Sequence, residues 1–133
     1  DAKNRLTQDA TSGPNAHTYT YTYDGNDNRL TSSETGSVVS FLYDAANRLV
    51  TSVAGAGATT YSYDANGNLT GIQDPTGLTT MVYNKADRLA QHSSGGTVTT
   101  YTYDGDGHKR REQVAGAVTT LVWDGSDYLQ VRS

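Results

Sequence analysis

Along most of this chain, aromatic or aliphatic residues alternate with small polar ones at a period of two, the signature of a strand with one face against other groups. Tyr21/Tyr23, Phe41/Tyr43, Tyr61/Tyr63, Met81/Tyr83, Tyr101/Tyr103 and Leu121/Trp123 fall on one face of such strands. Thr22, Leu42, Ser62, Val82, Thr102 and Val122 fall on the other. No apolar stripe recurs at the helical period, so the pattern predicts strands and no helices.

The strands recur. Tyr23-Asp24, Tyr43-Asp44, Tyr63-Asp64, Tyr83-Asn84, Tyr103-Asp104 and Trp123-Asp124 follow one another at a constant interval, without insertion. Asp or Asn directly after a strand accepts a hydrogen bond from a backbone N–H two residues on, and Gly or Asn shortly after it tolerates φ > 0, so each pair predicts a reversal. A second strand then begins near Leu30, Leu49, Leu69, Leu89 and Leu129, and Gly36, Gly55, Gly77, Gly95-Gly96 and Gly116 mark the return. Each repeat is therefore a β-hairpin, and the chain is all-β with roughly a dozen antiparallel strands.

Three irregularities refine this reading. Asp1-Ala2-Lys3-Asn4-Arg5-Leu6 matches Asp44-Ala45-Ala46-Asn47-Arg48-Leu49, so residues 1–133 are expected to be one array of about six repeats cut from a longer chain. The first interval, from Asp1 to Asp24, is longer than the interval from Asp24 to Asp44, with the surplus in Ser12-Gly13-Pro14-Asn15, a predicted longer loop. Asp24 to Leu30 is one step longer than Asp44 to Leu49, so an extra residue near Asp27 is expected to widen that turn or form a bulge; Asp104 to Arg110 reads as the same longer form.

Composition changes the picture in one respect. Leu, Ile, Val and Phe number only 21 of 133 residues, a level that suggests disorder, but 20 Thr and 10 Tyr stand in their place and the net charge is only -4. Tyr repeated at one phase predicts an aromatic ladder between successive hairpins. The acidic balance, with Lys109-Arg110-Arg111 as the sole basic run, argues against a nucleic-acid partner. No apolar run is long enough for a membrane span, and without Cys there is no disulfide or thiolate chemistry.

Tyr-x-Tyr-Asp followed by Asn-Arg-Leu-Thr-Ser at a fixed spacing resembles the YD repeats of the RHS family, found also in teneurins and in the TcC component of insecticidal toxin complexes. Asn84, Trp123 and His108-Lys109-Arg110 depart from that pattern. The resemblance implies a continuous, spiralling β-sheet ribbon that builds a shell around, or displays, a toxin or effector domain, in a secreted or cell-surface protein. Unpaired end strands are open edges, expected to be covered by the rest of the parent chain, by a neighbouring subunit or by a filament contact. Asp74-Pro75-Thr76-Gly77-Leu78 matches only part of the family's terminal self-cleavage segment and lacks its Arg, so no self-cleavage is expected.

No constellation for catalysis stands out. The repeated Asp residues form a row one hairpin apart, whereas a catalytic pair must converge. Asp24-Gly25-Asn26-Asp27-Asn28, Asp64-Ala65-Asn66-Gly67-Asn68 and Asp104-Gly105-Asp106-Gly107-His108 look superficially like calcium loops, but Arg29, Leu69 and Lys109 stand where Gly is needed and Thr35, Pro75 and Ala115 where Glu is needed. His17, His92 and His108 lie at unrelated phases without a ligand motif. The expectation is a non-enzymatic structural segment without cofactor or metal, whose residues of consequence are the repeated Tyr, Trp, Asp, Asn and Leu. The alternative is an extracellular adhesin or filament whose exposed Tyr face binds carbohydrate or a cell-surface protein.

Overall fold

In the computed structural model, the backbone of residues 1–132 and the side chains of residues 1–127 are described. The fold is all-β, with no helix among the described residues. Contacts group the chain into two compact units, residues 1–61 and residues 62–133.

The first unit contains β1 (Gln8–Thr11), β2 (His17–Tyr23), β3 (Arg29–Glu34), β4 (Ser37–Tyr43), β5 (Leu49–Ala54) and most of β6 (Gly57–Tyr63). Each strand pairs antiparallel with its neighbour in the sequence. The second unit contains β7 (Leu69–Asp74), β8 (Gly77–Tyr83), β9 (Leu89–Ser94), β10 (Thr97–Tyr103), β11 (Lys109–Val114), β12 (Ala117–Asp124) and β13 (Asp127–Arg132), paired in the same manner. The longer first interval is the connection from β1 to β2, where Ala16 N–H bonds the Gly13 carbonyl.

Two kinds of reversal alternate. Tight two-residue turns join Glu34 to Ser37, Ser94 to Thr97 and Val114 to Ala117, with both central residues at positive φ. That backbone twist matches the twist of flanking strands, which is why such turns close hairpins. Thr35 (φ 46°) and Ala115 (φ 47°) occupy this left-handed region although each carries a Cβ. Two-residue reversals also join Ala54 to Gly57 and Asp74 to Gly77. The alternate reversals, after Tyr23, Tyr43, Tyr63, Tyr83 and Tyr103, are the Asp and Asn turns. After those at Asp24, Asp44, Asn84 and Asp104 the returning strand carries one surplus residue.

That surplus corrects the reading of Leu30. Tyr23 pairs with Arg29 and Thr22 with Thr31; Tyr43 pairs with Leu49 and Leu42 with Thr51. The Asp24 turn is therefore no wider than the Asp44 turn: Arg29 holds the place of Leu49, and Leu30 is the bulged residue, equivalent to Val50. Tyr103 likewise pairs with Lys109, so the Asp104 turn has the common length and Arg110 is its bulged residue. A bulge at this point in the hairpins strengthens the local twist.

The strand faces follow the predicted alternation. In β2 and β4 the Tyr-bearing face is half-buried, whereas Thr22 and Leu42 are exposed. No hydrophobic side chain among the described residues is fully buried. Leu42 remains 59% exposed and Val82 51%. Stability in each unit thus comes from backbone ladders and cross-strand pairs, worth about 0.2–1 kcal/mol each, instead of an enclosed core.

Candidate functional site

The repeated chemistry of this protein sits at the Asp turns. Asp44 shows the arrangement in full: its Oδ1 accepts the backbone N–H groups of Ala46 and Arg48, each at 2.9 Å, and its Oδ2 accepts Arg48 Nε at 2.7 Å. Asp24 does the same with the N–H groups of Asn26 and Asn28 and with Asn28 Nδ2, all at 2.9 Å. Asp64 repeats it with Asn66 and Asn68, and Asn84 keeps the Oδ1 half with Ala86 and Arg88. At the chain start, Asp1 Oδ1 accepts from the N–H of Lys3 and of Arg5, so Asp1 has the role of Asp44. The residue before the last of each turn has positive φ: Asn4, Asp27, Asn47, Gly67, Asp87 and Gly107.

These bonds set the acidity of the turn carboxyls. The Asn28 and Asn68 amides hold Asp24 and Asp64 below the ordinary carboxylate value, and the Arg48 backbone N–H does so for Asp44, in each case against a partial desolvation that pushes upward. Desolvation is the strongest influence on Asp104, yet the His108 N–H, the His108 ring and Arg110 among others outweigh it and leave that carboxyl lowered as well. Each of these groups is a charged acceptor engaged by its own turn, which is a structural use of a carboxylate.

Neighbouring turns are joined by side-chain rungs. Asn47 Oδ1 accepts from Asn26 Nδ2 at 3.1 Å and from Asn28 Nδ2 at 2.8 Å. Asp87 Oδ1 accepts from Asn66 Nδ2 at 2.9 Å and from Asn68 Nδ2 at 2.8 Å. Asp27 Oδ1 accepts from Lys3 Nζ at 2.9 Å and from Arg5 Nη1 at 2.6 Å. In each case the positive-φ residue of one turn receives two donors from the turn before it. Gly67 and Gly107 have no side chain to accept such donors, and at Gly107 the guanidinium of Arg88 fills the space a Cβ would take. Arg88 also lies over the Tyr103 ring, 5.8 Å from its centroid.

The repeated aromatic residues act through their polar ends. Tyr23 OH donates to the Leu6 carbonyl at 2.7 Å, Tyr43 OH to Arg29 at 3.1 Å, Tyr103 OH to Leu89 at 2.8 Å, and Trp123 Nε1–H to Lys109 at 2.8 Å. Trp replaces Tyr without loss because indole is also an aromatic donor. Trp123 also carries a ring contact, its indole stacked on the His108 imidazole. Cations cover the rings: Arg5 over Tyr23 at 4.6 Å, Arg29 over Tyr21 at 5.5 Å, and Lys109 over Tyr101 at 5.3 Å.

The remaining predicted residues divide by register. Leu49 and Leu89 pair directly with Tyr43 and Tyr83, and Leu69 opens β7 after the Asp64 turn. The Asp124 reversal is a tight one, with Trp123 paired to Tyr128 and Asp124 to Asp127, so Asp124 does not repeat the role of Asp44. The side chain of Leu129 lies outside the described residues. Sequence reasoning missed the rungs, although their signal is present: Asn47 and Asp87 follow Asn28 and Asn68 at one shared separation, and Gly107 follows Arg88 at the same one.

Two further features lie near this row. Leu6, Tyr21, Tyr23, Asp27, Arg29 and Tyr43 line an open groove of about 480 Å³ in the first unit. Asp104, Asp106 and His108 bring their ligand atoms within 4.8 Å of one another in the second. No helix among the described residues is long and apolar enough to cross a membrane.

Antiparallel hairpins, most of one length, linked turn to turn by side-chain rungs and strand to strand by aromatic donors, define a β-hairpin repeat protein. Residues 43–80 match the RHS Repeat family, which bears out the resemblance read from the Tyr-Asp spacing. The fold is shared with solved structures of TcdB2-TccC3-TEV (TM-score 0.72) and TcdB2-TccC3 (TM-score 0.71), each at 16% identity over 84% of this chain. The chain spans 7% of the length of those proteins. No match was found among curated proteins.

Proposed function

We propose that this chain is a structural repeat segment of an RHS-type β-sheet shell, secreted or at a cell surface, that encapsulates or displays a toxin or effector domain and performs no catalysis of its own. The observation that carries the reading is the use of the repeated polar groups. The carboxylates of Asp24, Asp44 and Asp64 close their own turns, and the donors of Tyr23, Tyr43, Tyr103 and Trp123 hold the preceding hairpin. Such residues extend a wall, and they occur in a row instead of converging on a reacting atom. An open strand edge such as the outer side of β1 would then pair with the rest of the parent chain or a neighbouring subunit. Electron microscopy of the intact parent protein tests this: a closed hollow particle is expected, and an open fibre would overturn it.

A second reading, an adhesin or filament that binds carbohydrate or a cell-surface protein, draws on the groove beside Tyr21, Tyr23 and Tyr43. Aromatic faces with polar rims suit sugar rings. Glycan-array binding lost on Tyr21→Ala would favour it.

A further inference from the structure

We propose that Asp104, Asp106 and His108 form a binding site for a divalent first-row ion of the zinc, nickel and copper class. Three donors, two carboxylates and an imidazole, come within 4.8 Å of one another in a single turn, Asp106 exposed and Asp104 and His108 half-buried. The other Asp turns lack this opening. In them the second carboxylate oxygen is capped at 2.7–3.0 Å by the side chain four residues on: Asn28 for Asp24, Arg48 for Asp44 and Asn68 for Asp64. Asp104 keeps the first half of the motif, with His108 N–H on its Oδ1 at 2.9 Å, but its Oδ2 stands 3.6 Å from His108 Nδ1. That is too long for a hydrogen bond. It is close to the roughly 3.3 Å that separates two ligands on one tetrahedral ion with bonds of about 2.0–2.1 Å.

The surroundings favour the same assignment. The imidazole is stacked on the Trp123 indole, centroids 5.0 Å apart and planes at 21°, which holds the ring in one orientation. A Cβ on Gly105 would meet nothing within 4 Å, so the turn is open on that side. Asp106 is exposed and can swing the short distance that closes the set. The Arg88 guanidinium against Gly107 and the charge of Arg110 oppose any cation, so attraction to the two carboxylates alone is not enough and the imidazole nitrogen must supply part of the affinity. Imidazole with carboxylate selects zinc, nickel or copper, whereas calcium requires more oxygens than this turn supplies. Water or a donor from a partner would complete the coordination.

Trp123 is the sole Trp, which makes the site its own reporter. The full chain is titrated with Cu²⁺, Ni²⁺, Zn²⁺ and Ca²⁺ while its fluorescence is followed, with calorimetry for stoichiometry. Saturable quenching by Cu²⁺ and Ni²⁺ at one ion per chain is expected, with competition by Zn²⁺ and none by Ca²⁺. His108→Asn places at this position the residue that Asn28 and Asn68 supply in sister turns, so the turn persists while the ligand is removed; it and Asp106→Asn should abolish the response, and His17→Asn should not. Unchanged quenching in His108→Asn, a linear response without saturation, or equal competition by Ca²⁺ would each overturn the proposal.

Discussion

The Tyr103 hydroxyl donates to the Leu89 carbonyl, in the hairpin before its own, at 2.8 Å. Leu89 begins β9, and the β9–β10 ladder starts only at Gln91 paired with Thr100, so this carbonyl lies beyond the last cross-strand pair. The aromatic donor completes what the ladder leaves open.

Removal of that donor alone should therefore weaken the hairpin junction. Tyr103→Phe keeps the ring under Arg88 and loses only the hydroxyl, for an expected cost of about 0.5–1.5 kcal/mol. Trp123→Phe loses the donor to Lys109 and also the indole stacked on His108, and should cost at least as much. Denaturant unfolding of the two variants checks this, and wild-type stability in both would remove the hydroxyl rungs as a source of cohesion.

The steric exchange between Arg88 and Gly107 predicts a compensating pair. Gly107→Asn alone puts a Cβ at φ 95° and pushes the Arg88 guanidinium out of its place over the Tyr103 ring, and should destabilise the protein. Arg88→Asn with Gly107→Asn rebuilds the arrangement of Asn28 and Asn47, so the double variant should recover, with a coupling of about 0.5–3 kcal/mol. A thermodynamic cycle over the four proteins measures it; simple additivity would refute the exchange.

Acid should unfold the turns for a defined reason. Asp24, Asp44 and Asp64 have carboxyls lowered in the fold by the hydrogen bonds of their own turns. A group lowered on folding stabilises the protein fully above its unfolded value of about 3.9 and loses that contribution as pH falls through the folded value. Stability should thus be flat near neutrality and decline in acid below about pH 4. Asp64→Asn, which copies the natural Asn84, should fold and show a shallower acid decline in circular dichroism; a steeper one would contradict the assignment.

Two tight turns carry avoidable strain. Thr35 and Ala115 sit at φ 46° and 47°, a region that costs a residue with a Cβ about 1–2 kcal/mol and that Asn and Gly enter readily. Thr35→Asn and Ala115→Asn, each followed by the existing Gly, should raise the melting temperature. A fall in either variant would show that the side chain removed was needed.

The face opposite the tyrosines should be tolerant by comparison. Leu42 and Val82 are more than half exposed, so Leu42→Thr or Val82→Thr should change stability by no more than about 0.5 kcal/mol. Denaturant midpoints near wild type are expected in the isolated chain. A loss of several kcal/mol would show that this face is covered.

By itself, the sequence determined the strands, their inward and outward faces and the position of each reversal, because period-two alternation and Asx-turn chemistry act within a few residues. Tyr21 and Tyr23 are half-buried and Thr22 is exposed for that local reason. Only the tertiary structure decided which residue faces Tyr23 across the hairpin: Arg29, with Leu30 displaced into the bulge, since register is set by the whole ladder and the shared turn bonds. It also decided where the Tyr hydroxyls go and which turns touch. Asn28 and Asn47 belong to successive repeats, yet their amides meet at 2.8 Å, a distance that exists only once neighbouring hairpins have aligned their turns side by side.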